Sequence, residues 1–176
     1  MNETEQEQLL ERVAAHVRTS RQGAEGPLPA VASAVEVARV ERIAASPLPP
    51  LLTGLYTRVA NGGFGPEYGL LTLEQAIRTY EDMRASAWRW PEGVLPMADF
   101  GCGMLMCVDC RSDTAQVLLF DPNPGDPDLA WYVDAPGLAD WLRGWLDGTA
   151  WFCEESGAGE EFDLELAPWP DLRSRT

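Results

Sequence analysis

Apolar residues recur at helical spacing through the first half of the chain. Four helices are predicted there, with apolar stripes centred on Val13, Val40, Leu55 and Ile77. Three of them begin with the spacing of a capping box, in which two side chains three residues apart exchange hydrogen bonds with the backbone: Thr4 with Glu7, Ser33 with Glu36, and Thr72 with Gln75. The remaining helix is predicted to begin at Pro49-Pro50, since proline at the first helical position loses no hydrogen bond.

The pattern changes after residues 90–93, Trp-Pro-Glu-Gly, which are a turn signal. Short apolar runs typical of buried strands follow at residues 94–95, 104–108, 117–120 and 131–133. Residues 121–127 contain three prolines among Asp, Asn and Gly, which predicts a rigid turn before the last of these strands. Helical spacing returns at residues 138–146.

The end of the chain has a weaker pattern. Phe162, Leu164 and Leu166 alternate as in a short edge strand, and residues 169–176 are expected to fray. The order of elements is therefore helices, then hairpin-linked strands, then a helix. This order predicts a single-domain α+β fold with a largely antiparallel sheet, and a length of 176 residues fits one domain.

Charge narrows the class of partner. The chain has 13 basic and 28 acidic residues, a net charge of -15, and every basic residue is Arg. Between residues 112 and 172 the only base is Arg143, against 14 acidic residues. Such a chain repels nucleic acid and anionic membranes and would attract a basic protein, although composition by itself favours solubility alone as the role of the charge. We find neither an apolar run of membrane-spanning length nor a basic, apolar leader, so a cytoplasmic location is expected.

Four cysteines raise a metal hypothesis. Cys102, Cys107, Cys110 and Cys153 have the spacing of a plant-type iron–sulfur motif with a distant fourth ligand, and a zinc site is an equivalent alternative. A cluster loop must wrap its thiolates around the metal, whereas residues 104–108 have the pattern of a buried strand. The favoured interpretation is therefore that the cysteines are small buried apolar residues, with no cofactor.

Catalytic motifs are weak in this sequence. The single histidine, His16, lies beside Val13 and Val17 and is expected to be a half-exposed packing residue. It supports neither a Cys–His nor a Ser–His–Asp arrangement, so we expect no catalytic residues. Asp126 and Asp128 flank a proline and could hold a cation weakly, although a solvated turn is the favoured interpretation.

An ordered set of motifs runs through the middle of the chain. It comprises Glu41, Leu48-Pro49, Asn61-Gly62-Gly63-Phe64-Gly65-Pro66, Tyr68-Gly69-Leu70-Leu71, Trp90-Pro91, Leu95-Pro96, Asp99-Phe100-Gly101-Cys102, Cys107-Val108-Asp109, Phe120-Asp121 and Trp141-Leu142. Over residues 31–151 this set resembles the SUKH superfamily, to which the fungal cell-wall-assembly regulators belong. Residues 136–139 depart from the family pattern, which often has an aromatic residue there.

The resemblance implies a curved sheet flanked by helices and no catalytic residues. The SUKH-like domain is expected at 29–152, and an N-terminal helix and linker at 1–28 and an acidic C-terminal extension at 153–176 lie outside the resemblance. Bacterial members resemble immunity proteins that neutralise nuclease or deaminase toxins, whereas fungal members are signalling scaffolds. The expected function is thus binding of a basic toxin domain by a monomer or weak homodimer, with a housekeeping scaffold and a cysteine-ligated metalloprotein as alternatives.

The location of the binding surface is predicted from charge and from the glycine-rich segment. Acidic residues in and beside the turn at 121–127 would take the place of nucleic-acid phosphates in the toxin's cleft. The predicted partner-binding residues are Glu67, Tyr68, Asp121, Asp126, Asp128 and Asp134.

Overall fold

Six helices and five strands form the described part of the chain. The computed structural model describes residues 1–20, 27–66, 68–153 and 166–175. The helices are α1 (Glu3–Ser20), α2 (Ala34–Ala44), α3 (Pro50–Gly54), α4 (Leu73–Arg84), α5 (Leu138–Leu146) and α6 (Leu172–Arg175). A π-helical segment, Leu55–Val59, continues α3, and a 3₁₀ turn occupies Pro127–Leu129. None of these helices is both long and apolar enough to cross a membrane.

The sheet is an antiparallel meander. Its strands are β1 (Val94–Gly101), β2 (Met104–Asp109), β3 (Val117–Phe120), β4 (Trp131–Ala135) and β5 (Ala167–Pro168), and they are paired in chain order. Register shifts interrupt β1–β2 at two places and β3–β4 at one, and such irregularities bend a sheet. The fold predicted from sequence, an open antiparallel sheet flanked by helices in one α+β domain, is confirmed.

Strand β3 is the most protected element. All four of its residues are buried, and successive side chains of a strand point to opposite faces, so both faces of the sheet are covered there. Phe120 contacts Trp88, Trp90 and Trp131, with ring centroids 5.1–5.4 Å apart. This aromatic cluster covers one face, and its edge and tilted contacts are those that aromatic rings favour.

The helices are fixed to the core by their apolar stripes and by polar contacts at their ends. Ser33 and Thr72 form capping boxes with Glu36 and Gln75, as predicted. The N-terminal helix α1 packs against α5, where the half-buried ring of His16 meets Trp145 edge-on at 4.9 Å. His16 is thus a packing residue, as its position in the apolar stripe predicts.

The predicted start of α1 is wrong by two residues. The reciprocal bonds run between Asn2 and Glu5: the Glu5 N–H donates to Asn2 Oδ1 and the Asn2 N–H donates to Glu5 Oε2, both at 2.9 Å. Glu7, assigned to the cap from sequence, instead forms an ion pair with Arg58. Asn caps a helix at least as well as Thr, and the Glu7 carboxylate pairs with the distant Arg58 instead of capping the helix.

The end of the chain does not fray as predicted. Trp169 and Leu172 are buried, and β5 pairs with β4 at Ala167–Pro168. The predicted edge strand falls partly on Phe162 and Leu164, which lie outside the described residues. Arg175 donates from Nη1 and Nη2 to the two carboxylate oxygens of Asp109, at 3.0 and 2.6 Å. This ion pair joins α6 to the end of β2. It is largely buried on the β2 side, since Asp109 is only 2% exposed.

A half-buried carboxylate, that of Asp134, links β4 to the helix that follows. Asp134 accepts hydrogen bonds from the indole N–H of Trp141 at 3.0 Å and of Trp151 at 2.8 Å. Burial raises the pKa of the Asp134 carboxyl, and the two indole bonds oppose that effect in part. Asp134 therefore organises an aromatic cluster that also contains Phe100 and Phe152.

Loss of the Asp109–Arg175 pair is expected to destabilise the fold. Arg175→Ala leaves a buried carboxylate without its cation and should lower the free energy of unfolding by roughly 3–5 kcal/mol. The matched control is Arg173→Ala, whose side chain is exposed and unpaired in the described structure, with an expected change of less than about 0.5 kcal/mol. Urea denaturation measures both; equal effects would contradict the assignment of Arg175 to the core.

Removal of the Asp134 acceptor is expected to be costly as well. Asp134→Ala leaves two indole N–H groups without partners and should cost about 2–4 kcal/mol. Asp134→Asn retains one acceptor oxygen and should cost less. Thermal and urea denaturation would rank the stabilities of the two variants. An alanine variant as stable as the wild type would contradict a stabilising role for the two indole hydrogen bonds to Asp134.

The pH dependence of stability offers an independent check on Asp134. Because the folded-state pKa is raised above its unfolded value, the folded protein takes up a proton first as the pH falls. The unfolding free energy of the wild type should therefore rise, relative to that of Asp134→Asn, as the pH falls from neutral to the ordinary carboxyl range. Parallel curves for the two proteins would show that the carboxyl is not desolvated.

Candidate protein-binding surfaces

The order of strands brings the predicted turn residues to one end of the sheet. In a meander, successive connections alternate between the two ends, so the β1–β2 turn and the β3–β4 loop lie at the same end. The β1–β2 turn contains Cys102 and Gly103, and the β3–β4 loop runs from Asp121 to Ala130. Gly103 lies against this loop, since a Cβ on Gly103 would be 3.0 Å from Cγ of Pro122.

Tyr68 lies at this same end. Its neighbour Leu70 forms a bridge with Ala98 of β1, and the Leu71 N–H donates to the Met97 carbonyl at 2.8 Å. A Cβ on Gly101 would be 3.9 Å from Cε2 of Tyr68, so this ring lies beside the β1–β2 turn. Tyr68 is 77% exposed, which is unusual for a large aromatic side chain. Glu67, predicted to act with it, lies outside the described residues.

Three of the predicted aspartates form the acidic part of this end. Asp121 accepts from the Asn123 backbone at 2.9 Å, and Asp126 accepts from the Asp128 N–H at 2.9 Å. These bonds use backbone donors, and neither carboxylate forms an ion pair among the described residues. Asp128 differs, because it forms a solvent-exposed ion pair with Arg89 at 3.1 Å.

Asp134, the remaining predicted residue, does not join this group. Its carboxylate is directed inward, to the indoles of Trp141 and Trp151. Asp134 was predicted to act with the acidic turn because it is close to that turn in the sequence. In the structure it lies opposite an irregularity in the β3–β4 pairing, between Val117 and Leu118 on the facing strand. Asp99 is exposed near the end of β1 and so lies at the same end of the sheet as the β1–β2 turn, and Leu129 lies in the β3–β4 loop. We define the hairpin-end surface as Tyr68, Asp99, Asp121, Asp126, Asp128 and Leu129.

Leu129 adds an apolar side chain to the hairpin-end surface. It ends the 3₁₀ turn of the β3–β4 loop, is 56% exposed, and is fixed by the Tyr132 hydroxyl, which donates to its carbonyl at 2.7 Å. None of the seven tryptophans is fully exposed, so the aromatic residue available to a partner at this end is Tyr68. An exposed aromatic and an exposed leucine among carboxylates are typical of a protein interface.

Ion pairing explains why this surface keeps its negative charge. Within the described residues, eight arginines form ion pairs, and all but that of Arg89 are with carboxylates away from the hairpin-end surface. Asp99, Asp121 and Asp126 form no ion pair among the described residues. The arginines thus compensate charge elsewhere, and among the described residues none of them compensates these three carboxylates.

A groove of about 790 Å³ lies at the opposite end of the sheet. Its walls are the start of α1, the segment that leads into α3, the β2–β3 loop and the start of α5. Local sequence patterns do not predict this groove, because its walls come from four separate parts of the chain. The residues that line this groove include Glu5, Gln6, Leu48, Asp113, Leu138 and Arg143.

The cysteines occupy different environments. Cys102 is exposed in the β1–β2 turn, Cys107 and Cys110 are buried, and Cys153 is partly buried. Burial raises the pKa of the Cys107 thiol well above its ordinary value, and it raises that of Cys110 to about 12 with help from Asp109 and Glu41. These two thiols therefore stay protonated. Among the described residues, no three His, Cys, Asp or Glu side chains are grouped so as to hold a metal ion.

Two motif residues have clear structural roles. The Glu41 carboxylate accepts from the Leu48 N–H at 3.0 Å and so fixes the turn between α2 and α3. Asn61 accepts from the Leu73 N–H at 2.9 Å and donates to Glu36 at 3.2 Å, which ties the starts of α4 and α2 together. These contacts preserve the fold and do not specify a partner.

Comparison with known proteins agrees with this fold. No curated protein matches the chain by sequence. Residues 31–144, well over half of the chain, match the model of the SMI1 / KNR4 family (SUKH-1). The matched range begins before α2 and ends within α5, so it includes the hairpin-end surface and strands β1 to β4. The chain belongs to the SMI1 / KNR4 family, the SUKH-1 branch of the SUKH superfamily.

Proposed function

We propose that this chain is a non-enzymatic immunity protein, and that it neutralises a basic nuclease or deaminase toxin by covering the toxin's active cleft. Membership of the SUKH-1 family supports a protein-binding domain in general. The observation that carries the specific proposal is the hairpin-end surface. There the carboxylates of Asp99, Asp121 and Asp126, which form no ion pair among the described residues, share one end of the sheet with the exposed side chains of Tyr68 and Leu129.

The proposed mechanism divides the work between charge and contact. Toxins that act on nucleic acid hold phosphates in a basic cleft, and carboxylates can occupy the same positions. Asp121 and Asp126 would steer the encounter, because complementary charge raises the association rate most at low salt. Tyr68 would supply the contact area that slows dissociation, since buried aromatic residues dominate interface energies.

This role places the chain in the cytoplasm together with a toxin that reaches nucleic acid there. It requires one copy per toxin, so a monomer or weak homodimer suffices. A housekeeping scaffold of the same fold is the rival function, and it needs no toxin. The identity of the protein encoded beside this chain distinguishes the two functions.

Charge removal at the hairpin-end surface tests the proposal. Asp121→Asn with Asp126→Asn keeps the acceptor oxygens that hold the turns, so only charge is lost. Binding to the neighbouring gene's product should weaken by about tenfold at low salt, through a slower association rate, and the difference should shrink as salt rises. Surface plasmon resonance across a salt series measures both rates.

The matched control removes the same charge elsewhere. Glu11→Gln with Asp82→Asn changes two exposed carboxylates on α1 and α4 that form no ion pair among the described residues. Its affinity should stay within about twofold of the wild type. Equal weakening by the two double variants would mean that net charge alone attracts the partner, and no weakening by either would exclude the acidic surface.

A further inference from the structure

The groove at the end of the sheet opposite the hairpin-end surface has fixed walls. The Ser46 hydroxyl donates to the Cys110 carbonyl at 3.2 Å, and the Leu138 N–H donates to the Ala115 carbonyl at 2.9 Å. The Thr114 hydroxyl donates to the Pro136 carbonyl at 2.6 Å. These bonds join the segment before α3, the β2–β3 loop and the start of α5. The groove therefore exists before any ligand arrives, as binding sites usually do.

Its floor is apolar and its rim is acidic. Leu48 and Leu138 are buried at the floor, flanked by prolines of the segment before α3. Arg143 is already paired with Asp140 at 3.0 Å. The other charged side chains of the rim, Glu5 and Asp113, form no ion pair among the described residues. The side chains of the groove thus have a net negative charge over an apolar base.

We propose that this groove binds an extended segment of a partner protein, in which arginine or lysine alternates with apolar residues. A volume of about 790 Å³ lies in the range that holds a drug-sized ligand, which is the size of a few residues and smaller than a folded domain. Apolar side chains of the segment contact Leu48 and Leu138, while its cations reach Asp113 and Glu5. Long basic side chains suit this arrangement, since their stems are apolar and their ends are charged.

Charge also argues against the two nearest alternatives. A second copy of this chain carries the same net charge of -15 and is repelled. The chain's own segment at residues 154–165 contains six acidic residues and no base, which is the wrong charge for this rim. The remaining occupant is a basic segment of another protein. The groove proposal rests on the proposed function in one respect only, because the same basic partner supplies this segment.

Peptide titration of the full chain tests the groove without the partner protein. The probe is a fluorescent nine-residue peptide that alternates leucine with arginine, and fluorescence anisotropy measures its affinity. Asp113→Asn removes a rim charge that forms no ion pair among the described residues and should weaken binding about fivefold at low salt. Gln6→Trp, which fills the groove from α1, should weaken binding more than tenfold at any salt concentration.

Three controls make the titration decisive. Asp121→Asn with Asp126→Asn should leave the peptide affinity unchanged, because those residues lie at the other end of the sheet. A peptide with serine in place of leucine, and one with glutamate in place of arginine, should both bind at least fivefold more weakly. Acetyl-arginine amide should compete only at far higher concentration than the peptide, which excludes a free small ligand.

The proposal is overturned by any of three results. The first is that Asp113→Asn and Gln6→Trp bind the peptide as the wild type does. The second is that the hairpin-end variant loses as much affinity as Asp113→Asn, which indicates diffuse attraction to an acidic protein. The third is equal binding of the serine peptide. None of these bears on the hairpin-end test with the whole partner, so the two proposals fail separately.

Discussion

The pairing of β2 with β3 is the constraint on which the rest of the structure depends. These central strands are buried on both faces, so a one-residue slip in their register would turn Phe120 and Val117 to the opposite face of the sheet, away from the neighbours against which they pack. Because the meander is fixed there, the β1–β2 turn and the β3–β4 loop lie at one end of the sheet, and the β2–β3 loop, which forms one wall of the groove, lies at the other. The core register therefore positions part of both candidate surfaces.

The placement of charge follows from that core. A carboxylate inside the fold must be satisfied, and Asp109 and Asp134 have an arginine and two indoles respectively. A carboxylate on a turn needs only a backbone N–H, as Asp121 and Asp126 show. With most arginines in ion pairs elsewhere, the turn charges remain available to a partner. The hairpin-end surface is thus one place where, among the described residues, acidity is left without a compensating arginine.

The sequence predicted what local periodicity and turn chemistry encode: the helices with their Ser33 and Thr72 caps, the antiparallel strands, and the family. It failed where contacts span long distances. Arg175 was placed in a fraying tail, because nothing in its neighbourhood indicates a partner 66 residues away. Glu7 was placed in a cap for the same reason, since Arg58 is 51 residues away. Aspartate is usually a surface residue, so the sequence alone suggests an exposed Asp134. Only the fold shows that two indole N–H groups donate to its carboxylate.

Amide hydrogen exchange of the chain, alone and bound to the product of its neighbouring gene, tests the central claim most directly. The account predicts that complex formation slows exchange in residues 99–103 and 121–130, with residues 68–71 beside them. It predicts little change along α2 and the solvent face of α4, which lie away from the hairpin-end surface. Protection confined to α2 and α4, with the two turns unchanged, would contradict the claim that this protein binds its partner through the hairpin end of the sheet.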